Sequence, residues 1–138
     1  MPVSIPESLR TILADKCYGH VVTFNSKGNP ELTMVWMDVD GDKLLINTAE
    51  GRQKPKNLRR DPRLIVSIQD RNAPQSYAVF RGKATRITEE GARDHINKLG
   101  KRFLGLDKYP GPPTETRLIV EIEVDRISGA APGYKPWV

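Results

Sequence analysis

The chain has 138 residues, 38% of them hydrophobic and 28% charged, a composition that fits one folded domain with a buried core and excludes a disordered or fibrous chain. Twenty-two Lys and Arg against 17 Asp and Glu leave a formal charge of +5, which admits an acidic small molecule, a nucleic acid or an anionic surface as partner. No apolar run approaches the roughly 20 residues that span a bilayer. The start, Met1 to Pro6, has no basic region followed by an apolar one, and the single Cys17 cannot form an internal disulfide; a reducing, cytoplasmic setting is the expectation. With one cysteine and two separated histidines, no metal site is expected.

In chain order, Pro6 to Lys16 predicts a short amphipathic helix, because Leu9, Ile12, Leu13 and Cys17 recur at three- and four-residue spacing. Tyr18 to Phe24 is rich in strand formers, and Asn25 to Pro30 is a turn by composition. Glu31 to Val39 reads as a second strand. Asp40-Gly41 is a hairpin signal, and Lys43 to Asn47 returns as the third strand. Gln53 to Arg60 predicts a two-turn helix stopped by Asp61-Pro62. Arg63 to Gln69 is strand four. Tyr77 to Ile87 is a long fifth strand, with Gly82 inside it as a candidate bulge. Thr88 is placed to cap a helix whose Ala92, Ile96, Leu99 and Phe103 share one face. After the Pro/Gly-rich stretch from Gly105 to Thr114, Leu118 to Ile127 alternates as the sixth strand, with Val120, Ile122 and Val124 on one face. The tail from Gly129 is irregular. Six strands with peripheral helices predict a single mainly β domain over residues 1–138, a small antiparallel barrel.

The charge is not spread evenly. Thr48 to Arg63 holds six cations (Arg52, Lys54, Lys56, Arg59, Arg60, Arg63) against Glu50 and Asp61, a local +4. Gly51 followed by cations at a helix start is an arrangement that holds a phosphate, since the first amide hydrogens of a helix point outward unpaired and the macrodipole adds positive potential there. A local anion site explains the excess more economically than a nucleic-acid face, and the strand aromatics are too few for a base-stacking platform.

Familiar catalytic constellations are missing: no Gly-x-Ser-x-Gly elbow, no Walker lysine loop, no Gly-x-Gly-x-x-Gly after a strand. His20 on a strand and His95 on a helix read as structural or exposed, and Cys17 as a small core side chain. A protein that binds a redox cofactor can leave the reaction to that group and supply position and electrostatics. It needs a phosphate clamp, a flat surface for a ring system and a second pocket. The basic stretch offers the clamp, and the strand Thr33-Met34-Val35-Trp36-Met37 offers the surface.

The order of elements, with Asn-Leu-Arg-Arg-Asp-Pro-Arg (Asn57 to Arg63) and Ser-Tyr-Ala-Val followed by Gly-Lys-Ala (Ser76 to Ala84), resembles the pyridoxamine-phosphate-oxidase-like split-barrel flavoproteins, and within them the branch that uses the deazaflavin coenzyme F420. The resemblance spans roughly Leu9 to Gly129. It implies a six-stranded antiparallel split β-barrel forming a homodimer, with cofactor sites at the subunit interface. By the same match Arg52, Gln53 and Lys54 hold the cofactor phosphate, with Pro55 and Asn57 beside it. Thr33, Met34, Val35 and Trp36 run along the ring, and Thr48 sits near the ribityl chain. Ser76 and Tyr77 approach from the partner subunit or the pocket rim, Tyr77 being the one candidate proton donor. Tyr134 and Trp137 in the tail are candidates for the substrate side or the neighbouring subunit. The implied activity is hydride transfer from reduced F420 to an electron-poor conjugated molecule of the enone, quinone or tetrapyrrole type. An FMN-dependent oxidase or reductase of the same fold, or a non-catalytic cofactor-binding protein, is the alternative.

Overall fold

The computed structural model describes residues 1–138. The fold is mainly β: one curled antiparallel sheet with three helices. The strands are β1 Tyr18–Phe24, β2 Pro30–Trp36, β3 Asp38–Asp40, β4 Lys43–Ala49, β5 Arg63–Asp70, β6 Ala73–Thr88 and β7 Arg117–Ala130. The helices are α1 Glu7–Leu13, α2 Gln53–Arg60 and α3 Ala92–Leu104. In the sheet the order is β2-β1-β5-β6-β7-β4-β3. The two edge strands, β2 and β3, are separated in sequence by Met37 alone. A sheet whose opposite edges are joined by one residue must curl until they nearly meet, and that geometry is the split barrel.

Seven strands replace the expected six, because the stretch read as one strand from Glu31 to Val39 divides at Met37. Trp36 pairs with Tyr18 of β1, whereas Asp38 pairs with Leu45 of β4. Between them Met37 is fully buried and its N–H donates to the Cys17 carbonyl at 2.9 Å. Gly19 makes room for it: a Cβ there would lie 2.5 Å from the Met37 sulfur.

Alternation sends Val21, Val66, Ile68, Phe80, Leu44 and Ile122 into one core, which Leu9 and Leu13 of α1 join. A smaller cluster of Ile96, Leu99 and Phe103 on α3 packs against Trp36 and Tyr109. Thr88 does not cap α3. It ends β6 and its hydroxyl accepts the Glu90 N–H at 3.1 Å, while Gly91, at φ 73°, starts the helix. Strand β6 begins four residues before its expected start, because Asp70 accepts the Asn72 N–H at 2.9 Å and makes a tight turn of the expected loop.

The β6–β7 ladder shifts register between Arg81 and Gly82, where Arg126 and then Val124 are the partners and Asp125 is left over. This is a bulge, as the position of Gly82 suggests. A Cβ on Gly82 would sit 2.0 Å from the Glu123 carbonyl oxygen. Gly82→Ala should therefore lower stability by about 1–3 kcal/mol in urea unfolding. An unchanged midpoint would show that the two backbones are not in this close approach.

Candidate functional site

A cleft of about 170 Å³ opens where the barrel is split. The end of β2 (Met34, Val35, Trp36), the end of β4 (Asn47, Thr48), the start of α2 (Arg52, Lys54), Ile96 and Leu99 of α3, and Tyr109 and Arg117 form its walls. Trp36 stacks on Phe103 of α3, with ring centroids 4.9 Å apart and planes within 8°, and meets Tyr109 edge-on at 5.9 Å. One wall is therefore aromatic and rigid.

The opposite wall is cationic. Gly51, at φ 86°, turns the chain into α2, whose N-cap Arg52 is extended and makes no side-chain cap. The first turn of α2 contains no acid. Cations at the positive end of a helix are electrostatically unfavourable, so the arrangement stores an unmet demand for negative charge. Lys54 shows this most clearly. It is half-buried and forms no ion pair, and burial, then the nearby Arg52 charge, push its pKa down. Next to it in the cleft wall, Thr48 is 1% exposed and its hydroxyl has no hydrogen-bond partner. A buried polar atom without a partner costs about 1–3 kcal/mol, and this one lies just beneath the surface of the cleft.

Arg117 is buried in the same wall. Its Nε donates to Asn47 Oδ1 at 2.9 Å, Nη1 donates to Glu115 at 2.8 Å, and its guanidinium lies 5.0 Å from the Tyr109 ring centre. Because the Arg117 Nε can only donate, it fixes the Asn47 amide. Asn47 Nδ2 then faces the Ala92 carbonyl at 2.9 Å and His95 Nδ1 at 3.0 Å. His95 Nδ1 must accept, so its proton sits on Nε2, which donates to Asp38 at 2.9 Å. Asp38 also takes Arg102 at 3.0 Å. Both ring nitrogens of His95 are engaged, which makes it a structural histidine.

Of the residues expected in the site, Met34, Val35, Trp36, Thr48, Arg52 and Lys54 line one cleft. Thr33 is exposed and lies outside it, Gln53 is exposed and donates to Asn57 at 2.7 Å, and Pro55 is buried. Asn57 is fully buried and faces away from the cleft: it donates to Thr23 at 3.0 Å and Glu31 at 2.9 Å, and accepts from Gln53 and Arg60. Ser76 is buried beside a second depression that includes Tyr134, and Tyr77 lines a third with Tyr18 and His20; neither shares a residue with the cleft. Tyr134 is 79% exposed, and Trp137 docks on its own chain, its Nε1 donating to the Tyr77 carbonyl at 2.8 Å. Asn47, Ile96, Leu99, Tyr109 and Arg117 were not foreseen. Ile96 and Leu99 read simply as the core face of a helix, and nothing local distinguishes Tyr109 or Arg117.

Residues 5–130 match the family described as pyridoxamine 5'-phosphate oxidase. Among solved structures, the chain is similar to one described as an F420 reductase, with 27% identity and a TM-score of 0.79 over 90% of this chain and 98% of that one. It is also similar to a conserved hypothetical protein from Mycobacterium tuberculosis, at 23% identity and a TM-score of 0.68 over 91% and 84% of the two chains. General stress protein 26 from Bacillus anthracis matches at 20% identity and 0.66 over 88% and 90%. The last two likenesses concern the fold.

The Asp38 group has a measurable signature. Burial raises its pKa, but the bonds from His95, the Val39 backbone and Arg102 outweigh burial and lower it from 3.8 to about 2. A lowered carboxyl contributes stability that is complete above its unfolded value and is lost as pH falls towards its folded value. Wild type should thus lose about 2 kcal/mol between pH ~4 and ~2 through this group. Urea unfolding across that range should show a smaller loss in Asp38→Asn; an equal loss would remove Asp38 as its source.

Proposed function

Because this chain belongs to the pyridoxamine 5'-phosphate oxidase family, we propose that the cleft holds the phosphate-bearing end of a flavin-type redox cofactor and that the protein is an oxidoreductase. The finer reading is a reductase that uses coenzyme F420, with FMN as the alternative. The observation that carries the phosphate site is Lys54, half-buried without a counter-ion at an uncapped helix start, beside the unpartnered Thr48 hydroxyl. The likeness to a structure described as an F420 reductase supports the choice of cofactor.

When bound, a reduced deazaflavin supplies a hydride for an electron-poor conjugated acceptor such as an enone, quinone or tetrapyrrole. The chain's own part is to bind, orient and exclude water. Arg52, Lys54 and the first amides of α2 meet the phosphate. Met34, Val35 and the held Trp36 form a wall for a ring, and Thr48 offers a hydroxyl between the two. The cleft contains no carboxylic acid or histidine among its wall residues, so a proton comes from Lys54 or Tyr109, from solvent or from a second copy.

That second copy is part of the reading. At about 170 Å³ the cleft is smaller than the ~300 Å³ or more of ordinary cofactor sites, so one chain supplies part of a site. Met34 and Trp36 also belong to the outer sheet face, which the register extends through Tyr18, Leu32 and Tyr77. Leu32, Met34, Tyr18 and Tyr77 are 65%, 59%, 45% and 42% exposed. A large apolar face continuous with an incomplete cleft fits a homodimer in which Tyr77 of one copy approaches the cleft of the other.

The test is titration. Purified protein should quench F420 fluorescence, and stronger binding of FMN would overturn the choice of deazaflavin. Arg52→Ala and Lys54→Ala should each weaken binding by about 1.5–3 kcal/mol per charge-assisted hydrogen bond lost; unchanged affinity in both would remove the phosphate role. Leu32→Asp should produce monomers in analytical ultracentrifugation and reduce cofactor affinity together. A monomeric wild type would end the dimer reading.

A further inference from the structure

Glu115 sits at the end of the Pro/Gly-rich segment, next to β7, and its two carboxylate oxygens are divided between two arginines of the cleft's cationic wall. Oε1 accepts from Arg52 Nη2 at 2.8 Å and Oε2 accepts from Arg117 Nη1 at 2.8 Å. One carboxylate thus bridges two cations in the manner that two oxygens of a phosphate would. Its backbone is held in place: the Glu115 carbonyl accepts from Arg93 at 2.7 Å, and the neighbouring Thr116 carbonyl accepts the Glu50 N–H at 2.9 Å.

We propose that the Glu115 carboxylate is a built-in occupant of the anion site, which an incoming phosphoryl group displaces from Arg52 and not from Arg117. This rests on the reading of the cleft as a phosphate site. The two contacts are unequal. The Arg52 side chain is 49% exposed, and Glu115 is its single ion-pair partner. The Arg117 side chain is 3% exposed, pinned by Asn47 and stacked near Tyr109. Arg52 can swing to a ligand at small cost, since an exposed pair contributes little; Arg117 has nowhere to go. Hydrogen bonding from Arg117, then from Arg52, holds the Glu115 carboxyl below the usual carboxylate range, so it remains charged at neutral pH.

The consequence is selectivity. A simple carboxylate offers Arg52 no more than Glu115 already does. A phosphate monoester or diphosphate brings additional oxygens and charge that Lys54, the α2 amides and Thr48 can take as well. The internal carboxylate therefore sets a threshold that phosphorylated ligands pass and monocarboxylates fail.

Removing the competitor should strengthen binding, whereas removing a mere support for Arg52 should weaken it. Isothermal titration with inorganic pyrophosphate, and fluorescence titration with F420, would compare wild type, Glu115→Gln, Glu115→Asp and Lys54→Ala, each first shown folded by its thermal transition. Glu115→Gln should bind both probes about three- to tenfold more tightly, and should narrow the preference for pyrophosphate over acetate. Glu115→Asp, one methylene too short to span both arginines, should tighten binding less, and it carries the test if the Gln variant does not fold. Weaker or unchanged binding in the folded variants overturns the proposal while Lys54→Ala still loses affinity. If Lys54→Ala binds as wild type does, the phosphate site itself falls and this inference falls with it.

Discussion

Everything in this fold depends on the crossing at Met37. One residue carries the chain from the β2 edge of the sheet to the β3 edge, and its burial against Gly19 with an N–H donated to Cys17 holds the two edges together. The neighbours on either side use that pivot in different ways. Trp36 turns outward and stacks on Phe103, while Asp38 turns to His95 and Arg102, so the residues on either side of Met37 tie the crossing to α3 by a stack and an ion pair, and Met37 anchors it in the core. Helix α3 then covers the split. The cleft is the part of the split that α3 leaves open, which is why its walls come from both sheet edges.

The cleft is also where the chain departs from its own rules of consistency. Elsewhere no fully buried side-chain nitrogen or oxygen lacks a partner, and alternation sends apolar side chains inward. Here a helix begins without a cap or an acid, a lysine is half-buried without a counter-ion, and a threonine hydroxyl is buried without a partner. Each would be a defect in a purely structural element. Concentrated at one place, beside a rigid aromatic wall, they describe a negatively charged ligand by what is missing. The Asp38–His95–Asn47–Arg117 chain shows the contrast: there every donor and acceptor that matters for orientation is matched, so Arg117 is held while Arg52 is free to move.

Much of this was legible in the residues. The bounds of β1 and α2, the Asp40-Gly41 turn and the bulge at Gly82 all follow from local chemistry. So do Arg52 and Lys54, because a glycine turn and a helix start place them together, while Thr48 comes from the family resemblance. What depends on distant pairing was not legible. Nothing in the alternation of Glu31 to Val39 reveals that its two halves pair with different strands. Arg117 and Tyr109 reach the cleft only because β7 lies beside β4 and a loop folds under α3. Asn57 illustrates the opposite error. Its position on α2 put it near the phosphate by likeness, but the phase of the helix turns it towards β1, where Thr23 and Glu31 occupy its amide. Trp137, a candidate for the substrate side or the neighbouring subunit, docks on its own β6.

The basic stretch itself changes meaning once its partners are known. Its local charge of +4 suggests a broad positive field, but two of its exposed arginines are held by the stretch's own acids. Arg59 binds Glu50 at 2.6 Å, Arg63 binds Asp61 at 2.7 Å, and Arg60 is turned to the Phe24 carbonyl. Such exposed pairs add little to stability, yet they hold Arg59 and Arg63 against carboxylates. Arg52 and Arg117 share the one carboxylate of Glu115, and Lys54, Lys56 and Arg60 have no acidic partner, Lys54 alone of these three lining the recess. A nucleic acid is drawn by a continuous row of free cations. Cations gathered at a recess suit a small anion, and Arg52 and Lys54 are the members of the basic stretch that line one.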